Sequence, residues 1–494
     1  MASREEKLPL LGRGKGLITP AKSRFSETST TPPPPPPPPA AAGPSHAPAT
    51  LFQTPEASPI LQKQVNQGGP GGISLGRAVC YVLGVLGVLP IVSLPGALVY
   101  CGWLGFVMFV VLVVVEVYTA VLLARSWLIL ELFWPREAHL HHRHPYPGLA
   151  EKAGGVVLRK IVSGLLNIAI FGAAIPFMLL ASETMQQLVV STTGWDLSFC
   201  YWLLVLTVAL TPLLWFGTPK DLGVVTWVGG VSVVVVTGLT LASLFLDPPS
   251  SYKPPPEVPT WTSAAYCFGV IAFQFDIHPV ILTVQMDMKQ RHQLPLALII
   301  SFTVCGVLFL VVTGASFALY GSAVKANILN SFDHGPLLYV NMAIVCVQML
   351  LCLVLGINAL FQNLENCLNI PDEFGWRRVL LRTGVMALLL FMCESIPHFG
   401  VAIELVGGLL VTPFIFIFPP AFHISIKHKA CGRIDVRDLV LAANIIIMGI
   451  VGCIAATSQS LIQVAQLSHF APPCYINATA VSIAAREYQV NHYR

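Results

Sequence analysis

Asp276 and His278 stand two residues apart, with Pro279 next, inside the apolar run FQFDIHPVILTVQMDM from Phe273 to Met288. An acid, an imidazole and a proline are unfavourable in a segment long enough to cross a bilayer. Backbone groups in lipid need partners within the protein, and ionisable side chains at that depth face a cavity, where they mark a substrate or ion path. Asp276 can bind an amine or exchange a proton; the structural alternative is a carboxylate capping the bared backbone of an interrupted helix. His278 can relay that proton or serve as a hydrogen-bonded packing group. Glu116 and Glu183 lie in two further apolar runs, where each would cost about 3 kcal/mol facing lipid, so both are expected to face protein or water. Asp276, His278, Glu116 and Glu183 are thus the expected proton-coupling residues. Glu394 and Glu404 flank a short loop and are placed near the membrane interface.

The run from Leu83 to Gly105, LGVLGVLPIVSLPGALVYCGWLG, carries a second interruption. Pro90 and Pro95 remove backbone donors and Gly96 eases an irregular turn, which predicts a break near Ser93. Phe273 to Pro279 repeats the device. Paired broken helices in corresponding positions of two halves point to an inverted-repeat transporter with its substrate and coupling-ion sites near the midplane. A sodium site would want oxygen ligands, yet Arg77 to Tyr100 holds no Asn, Asp or Glu, so protons are the expected coupling ion. No nucleophile–base pair, metal cluster or phosphate-cradling loop is evident, which argues against an enzyme, a bound cofactor or a nucleic-acid partner.

These residues need a bilayer to act in, and composition supplies one. Of 494 residues 55% are hydrophobic and 11% charged, and mean hydropathy is +0.72, which excludes an ordinary soluble globule. At about 20 apolar residues per crossing, eleven spans are expected, near 76–99, 103–125, 157–187, 198–217, 222–246, 262–284, 294–320, 336–364, 378–395, 399–425 and 436–464. With the N-terminus in the cytosol, only Lys253, Lys325, Arg486 and Arg494 of the 28 Lys and Arg fall on the far side, as retention of positive charge inside demands. An odd count sends the sequon Asn477-Ala478-Thr479 to the lumen or exterior, where Asn477 can be glycosylated.

Residues 1–74 form a Pro-rich cytosolic tail expected to be disordered, 75–467 the transporter domain and 468–494 a short lumenal or extracellular tail. Eight consecutive prolines, Pro32 to Pro39, favour extended polyproline II and read as a spacer. Glu6, Leu10 and Leu11 have the form of an acidic dileucine signal that adaptor proteins read on cytosolic tails. That signal favours an endolysosomal or vesicular membrane, with the plasma membrane left open. The loop with Arg136, His139, His141, His142, Arg143 and His144 reads as a solvated, topology-fixing loop. Cys101, Cys200 and Cys474 can reach the oxidising side, so a bridge from Cys474 is possible but unassigned.

LPGALVYCGWLG (Leu94 to Gly105), Tyr118-Thr119, then Phe273, Phe275, His278 and Met288, then IPHFG (Ile396 to Gly400) and VGGLLVTPFIFIFPP (Val406 to Pro420) follow one another in an order that resembles the amino acid/auxin permease family. That family includes the vesicular inhibitory amino acid carriers. The resemblance implies an all-α polytopic membrane protein of eleven transmembrane helices, the first ten in a five-plus-five inverted repeat with broken first and sixth helices. It also implies alternating-access transport. The substrate carboxylate would be held by backbone donors at Val92, Ser93, Leu94, Pro95 and Gly96, and its amino group would be met around Phe273, Gln274, Phe275, Asp276 and Ile277. Departures from the family pattern fall at both breaks: Val88-Leu89-Pro90 replaces a glycine-rich approach, Gly96 a tyrosine, and Asp276-Ile277 small residues. The expected function is a secondary active transporter of small neutral amino acids or related amines, coupled to protons. The alternative is a transporter-like amino acid sensor that signals through its N-terminal tail.

Overall fold

Backbone groups without water must close their hydrogen bonds internally, and within one segment a helix does so. The structure, a computed structural model, describes residues 72–141, 144–216, 222–246, 254, 258–371, 373–470 and 474–476. Among the described residues the chain is all-helical, and the only β-type contact is a parallel bridge between Ile73 and Met288. In chain order the helices are α1 (Leu75–Leu86), α2 (Leu89–Cys101), α3 (Trp103–Phe133), α4 (Pro135–Leu140), α5 (Pro145–Thr193), α6 (Phe199–Trp215), α7 (Leu222–Leu246), α8 (Trp261–Gln274) and α9 (His278–Asp287). They continue with α10 (Leu294–Leu319), α11 (Pro336–Cys367), α12 (Trp376–Ser395), α13 (Phe399–Leu405), α14 (Phe418–Cys431) and α15 (Val436–Phe470).

Among the described residues eight stretches are long and apolar enough to cross a membrane, and α1 with α2, bent by 52°, makes a ninth. These are fewer than the expected eleven. The expected span 198–217 is only the 17-residue α6, and 378–395 falls in α12, which carries Arg377, Arg378, Arg382 and Glu394. Large apolar side chains lie exposed on the outside of the bundle, Val107, Val110, Val111 and Val114 on α3 and Ile447, Ile450, Val451 and Ile454 on α15. Their helical spacing makes lipid-facing stripes.

Inside, α5 runs along α11, α6 along α12, α2 against α8 and α3 against α10. α1 packs on α7 and α10, α3 on α9 and α14, and α8 and α15 close around the segment after α13. That segment winds as two π-helical turns, Val406–Val411 and Pro413–Ile417. Pro413 has no N–H to donate, and the Thr412 hydroxyl bonds Gly407 O at 2.8 Å. Gly407 is needed here because a Cβ would strike the Gly269 carbonyl of α8.

The first interruption is not where the prolines predict it. It falls at Gly87–Val88, five to six residues before Ser93, with Gly87 at φ +63° and its N–H on Leu83 O at 2.9 Å. Pro90 lies in the first turn of α2, where a missing N–H leaves no bond broken. Pro95 is carried inside the helix. Glycine supplies the positive φ that other residues resist, so Gly87 makes the hinge and Ser93 is helical. The second interruption is where it is expected, at Phe275–Ile277 between α8 and α9, with Pro279 in the first turn of α9.

Candidate functional site

Val92, Ser93, Leu94, Pro95 and Gly96 lie wholly buried in α2, so their backbone belongs to a helix and the uncompensated N–H end of α2 is at Val88–Leu89. Pro95 cannot donate to Ile91 O, which leaves that carbonyl without its helical partner. The Ser93 hydroxyl donates to Leu89 O at 2.9 Å and accepts from Gln274 Nε2 at 2.7 Å. That contact joins α2 to the last turn of α8, one residue ahead of the break. Gln274 Oε1 is buried without a partner.

At the break, Asp276 N–H reaches Phe273 O at 3.3 Å and Ile277 N–H reaches Phe275 O at 2.8 Å. The Phe275 ring is wedged between Phe109, Phe302 and Phe309, with centroids 5.9, 5.4 and 5.8 Å away. This packing fixes the break on its apolar side. Its polar side meets α3. Thr119 Oγ1 donates to Glu116 O at 3.0 Å and lies 3.1 Å from His278 Nε2. One hydroxyl has one proton, so Nε2 must be the donor and Nδ1 the bare nitrogen. That Nδ1 has no partner. The Glu116 side chain is fully buried with both oxygens unpartnered, and Asp276 lies close enough to interact with its charge. Asp276 Oδ1 is unpartnered too. Tyr146 of α5, whose hydroxyl donates to Phe414 O at 3.2 Å, is also within electrostatic reach of Asp276.

The structure thus assembles Ser93, Phe273, Gln274, Phe275, Asp276, Ile277, His278 and Glu116, and adds Thr119, which the sequence reading named as a motif residue but not as a site residue. Glu183 has another setting. It takes a hydrogen bond from Asn330 Nδ2 and interacts with Lys325, in the loop after α10. The same loop lies on α2: a Cβ at Gly96 would meet Lys325 O at 2.5 Å and Ala326 Cα at 2.9 Å, so glycine at 96 lets the loop backbone seat there. Glu404 lies in α13. It is fully buried, with both carboxylate oxygens unpartnered. Its neighbourhood in sequence to a loop hid this.

Arg382, counted from sequence among loop charges, is also buried. It pairs with Glu365 at 2.7 and 3.2 Å and donates to Leu214 O, tying α6, α11 and α12 together. Cys200 and Cys474 form a disulfide, which settles the pairing that the sequence left open. Asn477, Glu6, Leu10, Leu11 and the proline run lie outside the described residues.

Buried acceptors without donors suit a cationic donor group. The chain's likenesses agree with such a cargo. The profile described as "Transmembrane amino acid transporter protein" matches residues 71–462. Amino acid transporter AVT1D of Arabidopsis thaliana is 25% identical over 397 residues, covering 78% of this chain and 69% of the relative. Neutral amino acid transporter 9 of Xenopus tropicalis is 24% identical over 51% of this chain and 48% of its own. The vesicular GABA transporter of Caenorhabditis elegans is 27% identical over 38% of this chain and 40% of its own. These likenesses are to transporters, not enzymes, and lend no support to the sensor alternative. The chain belongs to the transmembrane amino acid transporter family, the amino acid/auxin permeases that its motifs resemble.

Proposed function

We propose that this chain is a secondary active transporter that moves a small neutral amino acid across a membrane by alternating access, coupled to protons. The observation that carries this reading is the donor-poor cluster at the α8 break: Gln274 Oε1, Asp276 Oδ1, both Glu116 oxygens and His278 Nδ1, all buried and unpartnered. A substrate ammonium brings three donors to such a group, and a proton brings one. The substrate lies between Ser93 and Asp276, with Val92 to Gly96 as the wall on the α2 side. Its carboxylate is held toward the amino end of α2, where free N–H groups and the helix dipole favour an anion. Asp276, His278 and Glu116 exchange the coupling proton, and Glu183 acts at the Asn330 and Lys325 contact of the loop over α2.

An eleven-span, five-plus-five arrangement is supported by which helices pack together. If α1/α2, α3, α5, α6 and α7 are spans one to five and α8/α9, α10, α11, α12 and α13/α14 are six to ten, the contacts repeat under a shift of five. Span one meets six, two meets seven, three meets eight and four meets nine; one meets seven and six meets two; five meets eight and ten meets three. Five crossings per half invert the second half relative to the first. The Cys200–Cys474 bridge supports an exterior or lumenal end after α15, consistent with glycosylation at Asn477. The N-terminal tail is then cytosolic, where Glu6, Leu10 and Leu11 meet adaptors, and the vesicular relative supports an endolysosomal or vesicular membrane.

The test is uptake of a panel of labelled amino acids into proteoliposomes with an imposed pH gradient. A subset of neutral amino acids is expected to accumulate in a gradient-dependent way, and Asp276→Asn is expected to flatten that dependence. Accumulation by Asp276→Asn that follows the gradient as in the wild type would remove Asp276 from coupling.

A further inference from the structure

The Glu404 carboxylate lies apart from the donor-poor cluster, on the flank of α8 that faces α13. Its residue is fully buried, and neither oxygen has a hydrogen-bond partner. It is seated by backbone: a Cβ at Gly269 of α8 would meet Glu404 O at 2.8 Å and Glu404 Cγ at 3.1 Å. One turn from Gly269, Tyr266 packs edge-on against Tyr100 at 5.8 Å, and its hydroxyl stands 3.2 Å from where a Cβ of Gly400 would be. Tyr100 is partly exposed at the carboxyl end of α2 and within electrostatic reach of Glu404. A carboxylate without donors in such a place is strongly disfavoured, whereas the neutral acid is tolerated.

We infer that Glu404 is a second proton-carrying site, which holds its proton while α8 is seated on α13 and releases it when α8 moves away. The inference rests on the proton-coupled reading above. The seat is built to part. Immediately after Glu404 the chain enters the π-helical turn Val406–Val411, whose Gly407 lies against Gly269 O, and the break at Phe275–Ile277 frees α8 from α9. Such turns are common where helices must shift. When α8 lifts, water reaches the carboxyl, the O–H bond breaks with its electron pair left on Glu404, and the proton leaves to water at the Tyr100 end. Reseating α8 requires the proton back, so proton occupancy and α8 position are linked.

Titratable groups on the elements around α13 include Tyr100 and Cys101 on α2, Tyr266 and Cys267 on α8, His398 ahead of α13, Cys453 on α15 and Glu183 on α5, of which Tyr100 is within electrostatic reach of Glu404. Lys325 is on the adjoining loop and interacts with Glu183.

The experiment uses full-length protein in proteoliposomes with pH set independently on each face, and compares wild type, Glu404→Gln, Glu404→Asp and Asp276→Asn. Glu404→Gln is expected to lose the dependence on pH at the Tyr100 face while still being stabilised against heat by the transported amino acid. Glu404→Asp is expected to keep that dependence. Infrared difference spectra of the purified protein are expected to show a protonated-carboxyl band in the wild type that Glu404→Gln lacks. A wild-type pH profile in Glu404→Gln, or an unchanged band, would overturn this site alone. Wild-type transport indifferent to pH on both faces would overturn proton coupling as a whole, and this site with it.

Discussion

Gln274 Nε2 donates to the Ser93 hydroxyl at 2.7 Å, and that hydroxyl donates in turn to Leu89 O at 2.9 Å. Through this one side-chain contact α2 and α8 meet beside the break that carries Asp276. Ser93→Ala strands a buried amide donor, which costs about 1–3 kcal/mol. Ser93→Ala is expected to lower thermal stability in detergent and weaken substrate uptake. Adding Gln274→Leu is expected to recover part of the stability, with a coupling above about 0.5 kcal/mol in the double-mutant cycle. Additive effects would mean that the two side chains do not interact.

Gly407 touches the Gly269 carbonyl, backbone against backbone, and neither side can yield by a rotamer change. Gly407→Ala is expected to destabilise by about 1–3 kcal/mol and to slow transport, because α8 can no longer seat. Gly164, with open space beside it, is the control, and Gly164→Ala is expected to be silent. Thermal unfolding of the two variants checks this; equal midpoints would contradict the close approach.

Arg382 and Glu365 form a buried ion pair between α11 and α12, the side chains only 1% and 4% exposed. Arg382→Ala leaves the buried Glu365 carboxylate with Arg378, at 3.2 Å, as its remaining cation and is expected to destabilise by up to about 3–5 kcal/mol. Arg382→Met together with Glu365→Leu is expected to be milder than Arg382→Ala alone. Unfolding midpoints in one detergent rank the three proteins, and a double variant less stable than the single would contradict the assignment.

The Cys200–Cys474 bridge makes a prediction about sidedness. In a variant whose exposed free cysteines Cys367 and Cys431 are replaced by serine, a membrane-impermeant maleimide is expected to label Cys200 and Cys474 only after reduction and only from the lumenal or external face. Labelling of Cys200 or Cys474 from the cytosolic face would reverse the proposed orientation.

The α8 break was legible because an acid, a histidine and a proline cannot all sit in a lipid-facing helix, whatever the fold around them. The α2 break was displaced because proline was weighed as the breaker. Pro90 starts a helix without loss, and the conformational work falls to Gly87, whose positive φ no composition rule reports. Glu404 was assigned to an interface from its distance to a loop along the chain. Its burial depends on Gly269 and Gly407 letting two helices close around it, a relation between distant residues. Arg382 was hidden in the same way, since its partner Glu365 lies on another helix. Val92 to Gly96 were expected on the substrate side by likeness to a family, and their helical state alters which of their groups are free.

The unpartnered acceptors at Gln274, Asp276, Glu116 and His278 are proposed to receive an ammonium group, which would supply the donors they lack. The most direct test compares a transported amino acid with its α-hydroxy acid analogue, which keeps the carboxylate and side chain but replaces the ammonium by a hydroxyl. Calorimetric binding to purified protein is expected to weaken by at least about a hundredfold for the hydroxy acid, the loss of charge-assisted hydrogen bonds in a buried site. Equal affinity for the two compounds would contradict the account.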